Sequence, residues 1–242
     1  MAKQLADKLL VERGLVETRA KAQALIMAGK VFSADRRIAK AGDLVAEDAP
    51  LEVKGQDHPW VSRGGLKLAH ALAHFALDPK GAIAIDVGAS TGGFTDVLLT
   101  HGAAKVYAVD VGHGQLDWTL RNDPRVLVIE RFNARHLTPA DLPGPVDIAV
   151  IDVSFISLRQ ILPVIPPVLR PGGDVIALVK PQFEAGRAEV RKGVIHDETV
   201  RLRVIDEIAA AAAGLGLTPM GSVPSPITGQ KGNVEFLLHL RP

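Results

Sequence analysis

The sequence contains no cysteine, and this absence excludes three kinds of chemistry. Without thiols the chain can form no disulfide, no thiolate metal site and no cysteine nucleophile. A membrane span is also missing, because the longest helical apolar stretch, residues 208–215, is far shorter than the roughly 20 residues that a bilayer requires. The charged segment MAKQLADKLLVERG has neither the apolar core nor the cleavage site of a secretory signal. We therefore expect a cytoplasmic protein with no membrane partner.

The chain also has almost no net charge, since its 242 residues include 28 Lys/Arg and 27 Asp/Glu. The distribution is less even, because residues 1–42 contain nine basic residues against four acidic ones. A small module with this excess is a candidate surface for nucleic-acid phosphates, and an ordinary solvated helical surface is the alternative. The candidate phosphate contacts are Arg13, Arg19, Lys21, Lys30, Arg36 and Arg37.

Two domains are predicted from the pattern along the chain. Apolar residues make up 47% of the sequence, which suffices for one large α/β domain and a smaller one. The N-terminal part predicts helices over 5–13 and, after the N-cap Thr18, over 19–27, with short strands following. The stretch 50–62 contains prolines and no clear periodicity. We predict a small domain over 1–58, a linker over 59–63 and a second domain over 64–242.

The second domain alternates apolar strands with helices, which predicts a doubly wound, mainly parallel sheet. The predicted strands are 82–87, 105–109, 126–129, 148–151 and 175–179, with a closing pair at 220–223 and 233–240. The predicted helices are 66–75, 93–100, 158–169 and 199–215.

The most informative segment is the glycine-rich turn IDVGASTGGFT at residues 85–95. A buried strand ends in Asp86, Gly88 permits a sharp turn, and Gly92 and Gly93 let a ligand approach the backbone. Asp110 lies at the end of the next strand, 24 residues later, where such folds usually bind a ribose diol.

This turn is neither the dinucleotide pattern nor a P-loop, because it lacks GxGxxG and the P-loop lysine. It suits an adenosine ligand without phosphates, of which S-adenosylmethionine is the commonest, and a purely structural turn is the alternative. A later residue, Asn133, could contact adenine or cap its own loop. The predicted cofactor contacts are Asp86, Gly88, Ala89, Ser90, Thr91, Gly92, Gly93, Phe94, Asp110 and Asn133.

Asp152 and Lys180 are the catalytic candidates that follow from the residues alone. Asp152 ends one apolar strand, within DIAVIDVSFISL, and Lys180 ends the next, within LVKPQFE. Ligands of open α/β sheets bind at the carboxyl ends of the strands. Opposite charges on adjacent strand ends therefore indicate a site, although either charge alone would more often be a surface residue.

Methyl transfer to a ribose hydroxyl needs side chains of this kind. The hydroxyl is a weak nucleophile and a very weak acid, so the enzyme must align it with the donor and help it lose its proton. A lysine with a lowered pKa can accept that proton, and no metal is required. Lys67, in RGGLKL, and Glu235, in GNVEF, could complete the site, but spacing alone does not bring them to Asp152 and Lys180.

Six motifs in order resemble the TlyA family of bacterial ribosomal RNA 2′-O-methyltransferases, historically labelled haemolysins, whose catalytic domain is similar to FtsJ-type enzymes. The motifs are VSRGGLKL, DVGASTGGFTDVLL, VDVGHGQL, IDVSFISL, LVKPQFE and GNVEFLL. The resemblance implies a Rossmann-like class I methyltransferase domain that uses S-adenosylmethionine. It further implies a catalytic tetrad of Lys67, Asp152, Lys180 and Glu235.

The N-terminal segment LLVERGLVETRAKAQALIMAGKV resembles a small α+β RNA-binding domain of the S-four type. The family resemblance implies a cytidine of ribosomal RNA as substrate, with the large-subunit 23S RNA expected for a chain of the shorter form. The ribosomal RNA or a ribosomal subunit is then the partner. The alternatives are a non-catalytic RNA-binding or assembly factor and a membrane-acting haemolysin, which the absence of a span or signal disfavours.

Overall fold

The computed structural model describes residues 3–13, 15–16, 18–34, 36–53, 58–186 and 188–242. The chain forms two compact units, Met1–Pro59 and Trp60–Pro242. The division falls at the start of the linker predicted over 59–63. None of the helices in these described ranges is long and apolar enough to cross a bilayer.

The first unit is a small α+β domain with its own core. The elements are β1 (Lys3–Leu5), α1 (Ala6–Glu12), α2 (Arg19–Met27), β2 (Val31–Ser33), β3 (Arg36–Arg37), β4 (Leu44–Ala46) and β5 (Leu51–Val53). The strands form two antiparallel sheets, one pairing β1 with β4 and one ordered β3-β2-β5. Thr18 caps α2 as predicted, because its hydroxyl accepts a hydrogen bond from the Lys21 amide at 3.2 Å. Leu10 and Ile26 are fully buried in the core of the unit.

The second unit is built around a seven-stranded sheet. Its strands are β6 (Ile83–Val87), β7 (Lys105–Val109), β8 (Val126–Ile129), β9 (Val146–Ile151), β10 (Leu169–Val179), β11 (Thr218–Pro224) and β12 (Phe236–Arg241). Its helices are α3 (Gly64–His74), α4 (Gly93–Thr100), α5 (Trp118–Arg121), α6 (Pro181–Glu184) and α7 (Glu198–Ala213). The order of the strands is β11-β12-β10-β9-β6-β7-β8. Every neighbouring pair from β10 to β8 is parallel, and β12 runs antiparallel to both β10 and β11. The doubly wound α/β prediction is therefore confirmed.

Alternate residues of the central strands enter two separate apolar clusters. On β6, Ile85 and Val87 pack in one cluster and Ala84 packs in the other. The same alternation occurs along β9, where Ala149 and Ile151 enter the first cluster and Val150 enters the second. The sheet is therefore covered on both faces, as parallel sheets require, and only the ends of its strands remain for a site.

The prediction of a helix over 158–169 is wrong. The segment forms three short 3-10 turns instead, Leu158–Gln160, Leu162–Val164 and Pro166–Val168. Pro163, Pro166 and Pro167 have no amide hydrogen to donate, so a continuous helix would lose several of its hydrogen bonds. Apolar residues of the turns, such as Leu162 and Ile165, are still fully buried against the sheet.

The order of the strands reverses between β6 and β9. The chain leaves β6 toward β7 and β8 on one side, and β9 and β10 lie on the other. Crevices form at such a point because the connections leave the sheet in opposite directions. The side chains at the ends of β6, β7, β9 and β10 are therefore brought to one edge.

Candidate active site

Gly88 lets the chain after β6 pack closely against the end of β9. Its φ is +88°, and a Cβ at this position would lie 2.5 Å from the carbonyl oxygen of Asp152. The Asp152 amide donates to the Val87 carbonyl oxygen at 2.9 Å. Any side chain at Gly88 would thus separate the glycine-rich turn from the strand end that carries Asp152.

The ligand approach expected at Gly92 and Gly93 stays a prediction, and the structure adds a packing reason for both glycines. A Cβ at Gly92, where φ is +97°, would overlap the side chain of Leu120, and a Cβ at Gly93 would overlap Ser62. Both glycines therefore serve the packing of α4 against its neighbours. Gly93 also lines a cavity of about 350 Å³ at this edge of the sheet.

Asp86 is fully buried, and one of its carboxylate oxygens is bonded to α4. Oδ2 accepts hydrogen bonds from the Thr95 amide at 2.9 Å and the Thr95 hydroxyl at 2.7 Å. Oδ1 is buried and has no hydrogen-bond partner among the described residues. Burial raises the pKa of Asp86 to about 7, with a further contribution from the Asp152 carboxylate, against the lowering effect of Thr95.

Asp110 is held in place at the end of β7 by backbone amides. Its Oδ2 accepts from the Ser90 amide at 2.8 Å, and its Oδ1 accepts from the Gly112 amide at 2.6 Å. The Ser90 hydroxyl donates to the Gln115 side chain at 3.2 Å. Each carboxylate oxygen retains a lone pair for a further donor, so the group is positioned to bind a diol.

Three adjoining cavities occupy this edge of the sheet. The central cavity, of about 350 Å³, lies between the glycine-rich turn and Lys180. The β7 cavity, of about 480 Å³, lies beside Asp110 and Asn133. The β10 cavity, of about 290 Å³, lies beside Gln182 and Glu235. The central cavity shares Gly88, Ser90, Asp152 and Ser154 with the β7 cavity, and Lys67, Ser154, Lys180 and Gly229 with the β10 cavity.

Two buried lysine–carboxylate pairs face these cavities. Lys180 Nζ lies 2.5 Å from Asp152 Oδ1 and donates to the Ser154 hydroxyl at 2.8 Å. Lys67 Nζ donates to Glu235 Oε2 at 2.6 Å. Lys67, Lys180 and Glu235 are each less than one-tenth exposed, and burial at this level requires that each charge be paired. The four residues of the tetrad therefore lie at one site.

The antiparallel direction of β12 brings Glu235 to this edge. Phe236 begins β12 and pairs with Val179, the last residue of β10. Glu235 and Lys180 are the next residues beyond that pair, so both lie at the carboxyl end of the parallel sheet. Gly229 packs directly on the Glu235 carboxylate, where a Cβ would overlap it.

Asn133 has the loop-capping role. Its Oδ1 accepts from the backbone amide and the Nε of Arg135, both at 3.2 Å, and so caps the turn Ala134–His136. The residue also lines the β7 cavity. Its contact with adenine stays a prediction.

The basic candidates of the first unit differ in their surroundings. Arg13 donates to the carbonyl oxygens of Ala49, at 2.6 Å, and of Glu47. Arg19 pairs with Asp7 at 2.9 Å. Lys21, Arg36 and Arg37 are exposed, and Lys30 is half-buried. Part of the hydrogen-bonding capacity of Arg13 and Arg19 is therefore used within the unit.

Glu184 lines none of the three cavities, but it supports the site from behind, a role that the sequence did not indicate. Its Oε2 accepts from the Ser157 hydroxyl at 2.5 Å, and its Oε1 accepts from the Leu158 amide at 2.8 Å. Burial raises the pKa of this carboxyl group. Glu184 thus ties the segment after Asp152 to the segment after Lys180.

Replacing Glu184 by alanine is expected to lower the free energy of unfolding by about 1–3 kcal/mol, because two donors lose their acceptor. Glu184→Gln keeps an oxygen for the Leu158 amide and should recover about half of that loss. Urea unfolding of the two variants measures the difference. Equal stability of Glu184→Ala and the unchanged protein would contradict this role.

Comparison with known proteins identifies the families that the chain matches. Residues 60–242 match the FtsJ-like methyltransferase family, and residues 6–49 match the S4 domain. The chain is 54% identical to YqxC of Bacillus subtilis (strain 168), described as an rRNA methyltransferase, over 98% of this chain and 85% of that protein. It is 48% identical to the 16S/23S rRNA (cytidine-2′-O)-methyltransferase TlyA of Mycobacterium tuberculosis (strain ATCC 25618 / H37Rv), over 97% and 88%.

The chain belongs to the TlyA family. A solved structure of a Streptococcus thermophilus protein, described as a hemolysin, superposes with a TM-score of 0.78 at 47% identity and covers 99% of this chain and 88% of that one. This TlyA family member is accordingly a methyltransferase with an S4 unit at its N-terminal side.

Proposed function

We propose that this protein transfers the methyl group of S-adenosylmethionine to the 2′-hydroxyl of a cytidine in ribosomal RNA, with the 23S RNA as the expected target. The observation that carries the proposal is the pair of buried lysine–carboxylate contacts beside the Asp86–Asp110 turn. The name of the M. tuberculosis relative, at 48% identity, supports the ribosomal cytidine as substrate class.

The residues of the central and β7 cavities fit S-adenosylmethionine. Asp110 can accept hydrogen bonds from the ribose diol of an adenosine in the β7 cavity. The buried Asp86 Oδ1, which no described residue bonds, suits a cationic ammonium group at the central cavity. When bound, the cofactor supplies a methyl group already activated by a sulfonium.

The neutral amine of Lys180 removes the proton from the ribose hydroxyl, because an ammonium has no lone pair to accept it. Asp152 lies 2.5 Å from its Nζ and stabilises the ammonium that forms, and the Ser154 hydroxyl fixes its direction. Lys67, fixed by Glu235, offers its remaining N–H groups to the oxygens of the ribose. These residues orient the nucleophile and hold its proton without covalent chemistry of their own.

The S4 unit supplies the second part of the proposal, which is contact with the RNA backbone. Arg36 and Arg37 extend from the exposed strand β3, and Lys21 lies on the exposed surface of α2. Charge-neutralising contacts of this kind add affinity without reading sequence. Arg13, Arg19 and Lys30 are the further candidates.

Mapping 2′-O-methylation on 16S and 23S RNA from cells with and without this protein tests the function. We expect one cytidine of the 23S RNA to lose its methyl group when the protein is absent. A methyl group missing from the 16S RNA alone would contradict the expected target. No change in either RNA would contradict the function itself and favour an assembly factor.

The affinity for S-adenosylmethionine is expected to fall about tenfold between pH 7.5 and pH 6. The raised pKa of Asp86, about 7, means that its carboxyl group is ionised above this pH and neutral below it, and only the ionised form attracts a cation. Calorimetric titration measures the dissociation constant at each pH. Asp86→Asn should bind more weakly at pH 7.5 and show no such dependence.

The same pKa shift has the opposite effect on folding stability. Because the pKa of Asp86 is raised from 3.8 to about 7, the folded state holds this proton more tightly than the unfolded state does. The stabilising contribution is complete below pH 3.8 and is lost as the pH rises through 7. Asp86→Asn should therefore unfold at an equal or higher temperature than the unchanged protein at pH 8, despite its weaker binding.

A further inference from the structure

The β10 cavity adjoins the reacting centre on the side away from the β7 cavity. Its lining includes Lys67, Lys180 and Glu235, which are the groups proposed to hold the ribose. Phe155 and Phe183 form another part of the wall. A nucleotide whose ribose lies between the lysines would therefore have its base at or near this cavity.

Gln182 is the unusual polar residue of this wall. Its side-chain oxygen, Oε1, is buried and accepts no hydrogen bond from any residue in the described part of the chain. Asn233, the other amide of the wall, donates to the Gly193 carbonyl at 2.8 Å and accepts from the Ile195 amide at 3.3 Å. Buried polar atoms are normally paired, so the unpaired Oε1 of Gln182 indicates a donor supplied by a ligand.

The aromatic residues of the cavity favour a flat ligand. The rings of Phe155 and Phe183 lie 5.1 Å apart. Phe155 is 82% exposed and has a φ of +64°, a backbone conformation that is costly for a residue of this size. An exposed aromatic ring on a strained backbone, beside a buried unpaired acceptor, is suited to the face and the edge of a nucleobase.

We propose that the β10 cavity holds the nucleobase of the nucleotide to be methylated and that Gln182 hydrogen-bonds the edge of that base. This inference rests on the proposed function. The buried Oε1 is an acceptor, which matches the exocyclic amino group of cytosine and not the carbonyl group that uracil carries at the same position. Gln182 is thereby a specificity-determining residue, whereas the tetrad contacts only the ribose.

Methyl transfer to ribosomal subunits from cells lacking this protein tests the proposal. The subunits carry either the target cytidine or a uridine at the same position, and tritiated S-adenosylmethionine reports the rate. Gln182→Leu should lower transfer to cytidine by about 10- to 100-fold, since the base edge loses its hydrogen bonds. Binding of S-adenosylmethionine should stay unchanged.

Gln182→Glu separates base contact from a structural role. A carboxylate accepts hydrogen bonds from the cytosine amino group and repels the uracil carbonyl at the same position, so the preference for cytidine over uridine should rise at least about tenfold. Gln160→Leu is the matched control. The Gln160 amide lies outside the β10 cavity, and its oxygen already accepts a hydrogen bond from Arg135. This variant should therefore retain the parent rates.

Two results would overturn the inference while the proposed function stands. They are parent-like transfer by Gln182→Leu, and an equal loss on cytidine and uridine subunits in both Gln182 variants. An unchanged protein that transfers no methyl group to any subunit would instead overturn the proposed function and this inference with it.

Discussion

Replacing Lys180 by methionine is expected to lower the rate of methyl transfer to ribosomal RNA by about 10²- to 10⁴-fold, the usual contribution of a positioned proton acceptor. Methionine keeps much of the apolar stem of lysine but removes the group that lies 2.5 Å from Asp152. Single-turnover transfer from tritiated S-adenosylmethionine measures the rate, and calorimetry should give a dissociation constant for the cofactor within a few-fold of the parent value.

Lys105→Met is the matched control for this change. Lys105 is an exposed residue that begins β7, at the opposite end of the sheet from Asp110, so its removal should leave the rate unchanged. A Lys180→Met protein that methylates RNA at the parent rate would show that the proton has another acceptor. Thermal unfolding of both variants verifies that any loss of rate is not a loss of structure.

Gly88→Ala is expected to lower the free energy of unfolding by about 2–5 kcal/mol. About 1–2 kcal/mol comes from a side chain at positive φ, and about 1–3 kcal/mol comes from forcing a methyl group against the Asp152 carbonyl oxygen. Displacing Asp152 should also remove most methyl transfer. Urea unfolding and the tritium assay measure the two effects.

Gly81→Ala isolates the backbone contribution. Gly81 has a φ of +75°, close to that of Gly88, but a Cβ there meets no described atom within 4 Å. This variant should lose about 1–2 kcal/mol and keep its activity. If Gly81→Ala and Gly88→Ala lost the same stability, close contact with the β9 end would not be the reason for a glycine at position 88.

The strands of the second unit were predictable because their residues are apolar on both faces. The bounds predicted for 105–109 and 126–129 agree with β7 and β8, since turn residues interrupt the apolar runs at both ends. The stretch 158–169 shows the same apolar content, and there the prediction of a helix was wrong. Apolar periodicity reports burial, whereas its prolines decided the backbone conformation.

Some residues of the site could be predicted from the sequence, and others could not. Asp152 and Lys180 follow directly from the strand ends, because parallel strands finish at one edge. Lys67 and Glu235 are 168 residues apart, and no spacing rule places them together, so only the family resemblance identified the pair. The contacts of Glu184 and the unpaired Oε1 of Gln182 depend on which atoms fill the space around them, and a sequence carries no record of that.

The antiparallel course of β12 has a consequence for when activity arises during synthesis. The strand that presents Glu235 inserts between β10 and β11, so the acid partner of Lys67 arrives after every other strand of the sheet has been made. A nascent chain that has emerged only as far as β11 has both lysines and no counter-charge for one of them. Under the proposed function, catalytic competence therefore appears in one late step, once the segment through Arg241 has left the ribosome and docked.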